Sequence, residues 1–465
     1  MRLEQLTIHN YRCFSDLTIQ FHPEMTVLIA PNGAGKTTVL DAARVALWPF
    51  VKGFDLGSQT GKGASIQLAD VRLAKQASGN MEPQLPSSIG ATGSVVSGDP
   101  SLTWVQLREL MKPRTNTLGD GATKAITSLG KKMEAQVRTP KGPEPLTLPL
   151  VTYLGTSRLW YEGRFTAEAE DTMLDVSAYS RTSGYLNCLS YSSSFKAFKA
   201  WYGWVYRSYR ESQIDALEKN SAIGEVGQRF ANAIQVVKSA VDALVRAATG
   251  WHSLEYSASH NQQLVMRHDD LGVMPVDMLS DGVRNAIAMV ADLAFRAYKL
   301  NPHLGEEAAR QTHGVALIDE VDMFLHPSWQ QTILGSLREA FPRVQFIVTT
   351  HSPQVLSTIP RDNIRVLDQD ERGARVRTPD FSPLAHESGD ALAKIMGTHR
   401  EPELPLQESI RSYEQLVRSG QENTPEASRL RAELDQAGYQ FHESDLTTWR
   451  FLASRNAGRS TGRTD

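Results

Sequence analysis

Hydrophobic positions in this chain follow three patterns, and each predicts a different kind of element. Apolar and polar residues alternate over Leu3 to Ile8 and again over Leu17 to Phe21, with the turn His9-Asn10-Tyr11-Arg12-Cys13-Phe14 between them. That period of two predicts an antiparallel hairpin. Short, mainly apolar runs, at Val27 to Ile29, Leu150 to Leu154, Gly314 to Ile318 and Val344 to Val348, predict buried strands of a parallel sheet. Helical spacing governs the middle of the chain. Phe195, Phe198, Trp201, Tyr202, Val205, Tyr206 and Tyr209 share one face of a helix over Ser194 to Leu217, and Phe230, Ile234, Val237, Val241 and Leu244 mark a second over Glu225 to Thr249. The pair predicts a compact helical lobe, too short for a coiled-coil arm.

Smaller elements fill the intervals. Thr38 to Leu47 reads as a helix ended by Pro49, residues 51 to 65 as a Gly-rich loop, and Ile66 to Leu73 as a strand in which Gln67 is either an ordinary member or a glutamine that senses the γ-phosphate. Residues 76 to 100, rich in Ser, Gly and Pro, read as a connection. Leu102 to Leu107 reads as a strand and Gly119 to Val137 as a basic helix; Pro140, Pro143, Pro145 and Pro149 then break the chain. Asp368 and Asp370 lie in a hairpin turn. Beyond it Ala391 to Met396, Gln407 to Val417, Ala427 to Ala437 and Asp445 to Leu452 read as helices, and Arg455 to Asp465 as a disordered tail.

Composition narrows the class. The 465 residues exceed one small core and predict two or three domains or lobes. With 49 basic and 52 acidic residues the net charge is −3, so any basic surface is local. Cys13 and Cys188 are the only cysteines, which excludes a disulfide framework and zinc-type spacing. No apolar run reaches membrane-spanning length, and the start is no signal peptide, so a cytoplasmic protein is expected.

The chemistry begins at Ala30-Pro31-Asn32-Gly33-Ala34-Gly35-Lys36-Thr37-Thr38, between the apolar run Val27 to Ile29 and a helix start. Strand, glycine loop and helix in that order form a phosphate cradle, the P-loop, in which backbone N–H groups point at phosphate oxygens. Lys36 is placed to reach the β- and γ-phosphates and the Thr37 hydroxyl to hold Mg²⁺. Ala30 stands where the motif has its first glycine. Arg12, in the preceding turn, is either a solvated charge or leans over the nucleotide. Downstream, the strand Gly314 to Ile318 ends in Asp319 and Glu320. Asp319 is placed to hold Mg²⁺ through water and Glu320 to orient the attacking water. A further buried strand, from Val344 through Thr349, is expected to end in His351, whose imidazole is placed to sense the γ-phosphate. Asp322 and His326 fall in the turn after the acidic pair, within reach of a neighbouring subunit. Ser157-Arg158-Leu159 sits at another strand end. Ser280 and Gly282, in Met278-Leu279-Ser280-Asp281-Gly282, open a further helix with Ser280 as its N-cap.

These motifs, in this order, resemble the ABC-type ATPase heads of the SMC/RecF/OLD superfamily. Asn10 to Phe14 is similar to their N-terminal signature, Ala30 to Thr38 to Walker A, Leu279 to Gly282 to the ABC signature, Leu317 to Glu320 to Walker B, Asp322 to the D-loop and His351 to the switch histidine. Asp281 and Val283 depart from the transporter pattern. The resemblance implies ATP and Mg²⁺ as ligands, with Arg12, Asn32, Gly33, Ala34, Gly35, Lys36, Thr37 and Thr38 on the nucleotide. It also implies Ser280, Gly282 and Asp322 reaching nucleotide across a homodimer or higher homo-oligomer. A finer resemblance, carried by Arg181-Thr182-Ser183-Gly184-Tyr185, Phe195 to Trp201 and the general layout, is to the PtuA ATPases of Septu-type and retron-associated anti-phage systems. It implies a separate HNH-type nuclease, PtuB-like, as partner, and nucleic acid (DNA, or retron RNA/DNA) as a further one.

The fold expected is α/β: a P-loop ABC-type ATPase head with a mixed sheet, an inserted helical lobe and a helical C-terminal tail. Its parts are the N-terminal half of the core (1–75), a variable insertion with lobe strands (76–160), the helical lobe (161–260), the C-terminal half of the core (261–380), a helical partner-docking region (381–454) and the tail (455–465). Relatives of OLD type add a TOPRIM nuclease, but the tail lacks the successive acidic strands that such a domain needs. Three functions compete: an ATPase gating a separate nuclease, a RecF/SMC-like repair ATPase on DNA, and a scaffold that binds ATP with little turnover. The interleaved Lys196, Lys199, Arg207 and Arg210 offer base stacking and phosphate grip on the aromatic helix, against plain core packing with a solvated cationic face.

Overall fold

A computed structural model describes residues 1–58, 64–96, 98–113, 117–139, 145–158, 180–191, 195–370, 373–398 and 405–460. They form two compact units, Met1–Met396 and Gly397–Asp465. In the first unit, β1 (Arg2–Tyr11) and β2 (Phe14–Gln20) are followed by β3 (Met25–Ile29) and the P-loop helix, Lys36–Val51. A small ribbon of β4 (Leu73–Lys75) and β5 (Met81–Pro83) precedes β6 (Ser87–Ser94), β7 (Leu102–Arg108) and β8 (Leu118–Gly119). Helix Gly121–Val137 leads to β9 (Leu150–Leu154), and helices Phe195–Glu218 and Glu225–Thr249 lead to β10 (His252–Ser257), β11 (Gln263–His268) and β12 (Gly272–Pro275). After helix Asp281–Leu300 come β13 (Gly314–Ile318), β14 (Val344–Thr349), β15 (Ile364–Asp370) and β16 (Gly373–Arg377).

One sheet runs β9-β13-β14-β3-β15-β16, parallel throughout except for β16. Every residue of β3, β9, β13 and β14 is buried, which is why these strands are mainly apolar and lack a two-residue alternation; Thr26, Thr152, Gln345 and Thr349 are their buried polar members. The other large sheet, β2-β1-β6-β7-β8, is antiparallel, and its strands alternate buried and exposed positions. The P-loop helix packs against both sheets, and all of it except Thr37 is buried. The architecture is an α/β P-loop ATPase head with a mixed sheet.

Several local expectations change. The stretch 76 to 100, read as a connection, contains β5 and β6, and β6 pairs with β1 and β7 in the antiparallel sheet. Asp368 and Asp370, read as turn residues, lie in β15. The P-loop helix does not end at Pro49 but continues through it to Val51. Proline has no N–H for the Val45 carbonyl one turn back; the Gln106 amide of β7 donates to that carbonyl instead, and the Trp104 indole N–H donates to Ala46 O at 2.9 Å. Ile66 to Leu73 is not a strand. Gln67 caps a 3₁₀ turn, Leu68–Asp70, with the Asp70 carboxylate returning to the Gln67 N–H at 2.9 Å. The Gly-rich loop contains a short helix, Asp55–Ser58. The last helix, Glu443–Ser460, runs past residue 455, and 461–465 lie outside the described residues.

The aromatic helix packs into the core. Phe198, Trp201 and Tyr202 are buried, and Trp201 meets Phe295 of helix Asp281–Leu300 at 4.8 Å between ring centroids. The Arg181–Tyr185 segment is a buried 3₁₀ turn whose Gly184 carbonyl accepts from Arg296 at 2.7 Å, and Tyr185 donates to Pro149 O at 2.7 Å. In the second unit, Ile410, Tyr413, Val417, Leu430 and Leu434 form a separate small core among helices Gln407–Arg418, Pro425–Gln436 and Glu443–Ser460. Among the described residues no helix is long and apolar enough to cross a membrane.

Candidate functional site

Parallel pairing brings the carboxyl ends of β9, β13, β14 and β3 side by side, and the polar residues that follow these strands converge there. After β3 the loop turns sharply, with Gly33 at φ 79° and Gly35 at φ 97°, backbone that a side chain would strain. Gly35 has a second reason to be glycine: a Cβ there would lie 2.4 Å from the Phe14 ring and 2.8 Å from Cys13 Sγ. The turn between β1 and β2 therefore presses on the P-loop. Ala30 is not among the residues with positive φ, so its methyl adds no strain at the first Walker A position. Asn32 and Gly33 are exposed, Ala34 is half-buried, and Thr38 is buried.

Lys36 is buried and donates to Ala30 O at 2.7 Å and Pro31 O at 3.3 Å, curling across the mouth of the loop. Burial holds its ammonium below the ordinary lysine value, and the nearby Asp319, Glu320 and Asp322 offset only part of that. Thr37 donates from Oγ1 to Asp319 Oδ2 at 3.0 Å. The other Asp319 oxygen accepts from Thr349 Oγ1 at 2.6 Å, and Thr349 Oγ1 accepts from the Glu320 N–H at 2.7 Å. Glu320 has φ 49°, a left-handed backbone uncommon outside glycine. P-loop, acidic strand end and the end of β14 thus form one hydrogen-bonded constellation. Thr37 and Asp319 are oxygen donors of the kind Mg²⁺ selects, and one or two protein ligands plus phosphates are its usual share. The residues fit that ion.

The half-buried His351 lies two residues beyond β14, and the intervening Thr350 donates to Asp322 Oδ1 at 2.6 Å. His326 is a cap in this chain, its side chain accepting from Ser328 N–H at 3.3 Å. Ser157 donates to Tyr191 O at 2.6 Å, while Leu159 lies outside the described residues. Ser280 occupies the N-cap position but makes no capping hydrogen bond, and it is exposed. Gly282 packs on the turn after β13, where a Cβ would meet Phe324 O at 2.5 Å, and Asn285 donates to Met323 O at 2.8 Å. Helix Asp281–Leu300 is thereby fastened to the turn that holds Glu320 and Asp322.

Arg12 is engaged within the chain. It pairs with Asp41 of the P-loop helix and with Asp70 at 2.8 Å, and Tyr191 donates to Asp41 Oδ1 at 2.8 Å. Sequence reasoning did not find Thr349, Asp41, Asp70 or Tyr191. Thr349 adjoins Thr350 and His351, so its place at a strand end was the available signal. The other three are joined only by the fold.

The family described as "AAA domain" matches residues 5–227, and that described as "AAA domain, putative AbiEii toxin, Type IV TA system" matches residues 154–357. The retron Vc95 probable ATPase of Vibrio cholerae serotype O1 biovar El Tor is 39% identical over 156 residues, which are 33% of this chain and 30% of that protein. The retron Ec83 probable ATPase of Escherichia coli is 24% identical across an alignment of 480 positions that covers 94% of this chain and 84% of that protein. The Septu protein PtuA of Bacillus mycoides is 36% identical over 99 residues, 21% of this chain and 13% of that protein.

Proposed function

The chain fits the SMC/RecF/OLD superfamily as an ATPase with PtuA-like relatives, and from that premise we propose that it is the ATP-hydrolysing subunit of an anti-phage defence complex. The observation that carries the reading is the hydrogen-bonded run Thr37, Asp319, Thr349, Glu320, which joins three strand ends in one site.

Phosphoryl transfer asks the protein for placement more than for covalent chemistry. The N–H groups of Asn32 to Thr38 cradle the phosphates, and Lys36 leaves the Ala30 and Pro31 carbonyls for a phosphate oxygen. Thr37 and Asp319 hold Mg²⁺, which when bound offsets charge on the β- and γ-phosphates. Glu320 orients and polarises the attacking water, and His351 reports whether the γ-phosphate is there. Arg12, paired with Asp41 and Asp70, ties the β1–β2 turn to the P-loop helix.

Ser280 and Gly282 act across a homodimer, as the family resemblance implies, with Asp322 at the same boundary. Three features favour this: the Ser280 hydroxyl is not used in capping, and Met278 and Phe324 beside it are 70% and 47% exposed. A separate HNH-type nuclease is the proposed effector, released or held by the nucleotide state of the paired heads. Tagged chain purified from its native host is expected to bring such a nuclease in stoichiometric amount, read by mass spectrometry. Chain recovered alone on DNA would replace this reading with a repair-type ATPase.

A further inference from the structure

The far end of the P-loop helix borders a cavity of about 1070 Å³ that the ATPase chemistry leaves unused. Lys52, Arg108, Lys124 and Lys131 line it, and among the described residues no Asp or Glu does. Local structure brings these cations together. Lys124 and Lys131 stand seven residues, two turns, apart on one face of helix Gly121–Val137, and Lys52 is the C-cap of the P-loop helix. Arg108 ends β7, buried, with its guanidinium donating to Ile66 O at 3.1 Å and Lys112 O at 3.0 Å. Among the described residues no carboxylate forms an ion pair with Lys52, Lys124 or Lys131.

Four cations around one concavity repel one another, and low-dielectric walls concentrate their field. A ligand carrying several negative charges relieves that repulsion. Trp48 and Gln106 also line it, residue types that can stack a base and hydrogen-bond its edge, although the Gln106 amide N–H is at present given to Val45 O. The volume is just above the roughly 300–1,000 Å³ common for ligand sites, enough for a whole nucleotide. We propose that this cavity is a second site, separate from the P-loop, for a 5′-phosphorylated nucleotide, either free or at the end of a single strand.

Its position gives it a route to the ATPase. Gln106 faces the cavity and donates to Val45 O within the P-loop helix, replacing the bond that Pro49 cannot supply. A ligand that draws Gln106 away disturbs a helix whose other end is the P-loop itself. Binding to the cavity does not depend on the ATPase reading; only this consequence does.

The test uses the full chain carrying Lys36→Ala, so that P-loop binding does not mask the second site. The probes are AMP, a 5′-phosphorylated ten-residue oligothymidylate and the same oligomer with a 5′-hydroxyl, with affinity read by calorimetry or anisotropy. AMP binding assigns the free nucleotide, and binding of the phosphorylated oligomer alone assigns the strand end. In either case Lys124→Glu/Lys131→Glu is expected to weaken the affinity at least tenfold. Both lysines are exposed, and a melting curve checks that the variant folds; Lys52→Glu serves if it does not. The proposal is overturned if neither phosphorylated probe binds, if charge reversal leaves affinity unchanged, or if the 5′-hydroxyl oligomer binds equally well.

Discussion

The six-stranded and five-stranded sheets both pack on the P-loop helix, yet the proposed chemistry collects on only one of them. In the parallel sheet β9, β13, β14 and β3 all point the same way, so their exits lie side by side. In the antiparallel sheet neighbouring strands point in opposite directions, and their ends are divided between two edges. Three polar strand ends at one edge make a site; the same number split between two edges do not. The antiparallel sheet acts instead through contact, pressing Phe14 and Cys13 against Gly35 and lending Gln106 and Trp104 to the P-loop helix.

Substitutions can sharpen or break this division. The largest effect is expected for Lys36→Ala, which should weaken nucleotide binding by at least about 100-fold by deleting the charge that meets the phosphates, measured by calorimetry. Thr349→Val removes the hydroxyl shared by Asp319 and Glu320. It should lower turnover by roughly 10- to 100-fold through misplacement, with KM changed far less. Trp104→Ala, in the antiparallel sheet, should cost about 3–5 kcal/mol of stability by denaturant melt while turnover per folded molecule stays within about twofold. A turnover loss as large as that of Thr349→Val would erase the distinction between the sheets.

The smallest expected effect is with pH. The Lys36 ammonium lies below its ordinary value because it is buried, and phosphates favour its charged form. Binding therefore raises its pKa and takes up a proton. Nucleotide affinity should hold below the free protein's Lys36 pKa and weaken as pH rises through it, by at most about tenfold per pH unit. Lys36→Arg, charged at all accessible pH, should flatten that slope in a titration from pH 7 to 10.

Legibility follows the same division. Lys36, Thr37, Asp319, Glu320 and His351 could be read because each stands at a fixed offset from a buried strand, and parallel pairing makes strand ends neighbours. Thr349 lay within a recognised strand, but its role depends on β14 being inserted between β3 and β13, which spacing does not reveal. Asp41 and Asp70 meet Arg12 across separations of 29 and 58 residues, and nothing local marks them. The rule that proline ends a helix failed at Pro49 because Gln106, on a distant strand, supplies the missing donor. The aromatic face of Phe195–Glu218 was visible as a face; only the fold shows Phe198 and Trp201 turned towards Phe295 and not towards a ligand. Gln67 read as part of a strand because a short alternation resembles one, although the Asp70 carboxylate closes it into a turn.

The central claim is that Glu320, held by Thr349 at the end of β13, activates the water that attacks ATP. Nucleotide affinity and steady-state turnover of Glu320→Gln beside the unaltered chain test it most directly. The account predicts affinity within about threefold and turnover lowered by roughly 10²–10⁴-fold, the usual contribution of a positioned base. Hydrolysis by Glu320→Gln at the unaltered rate would contradict it.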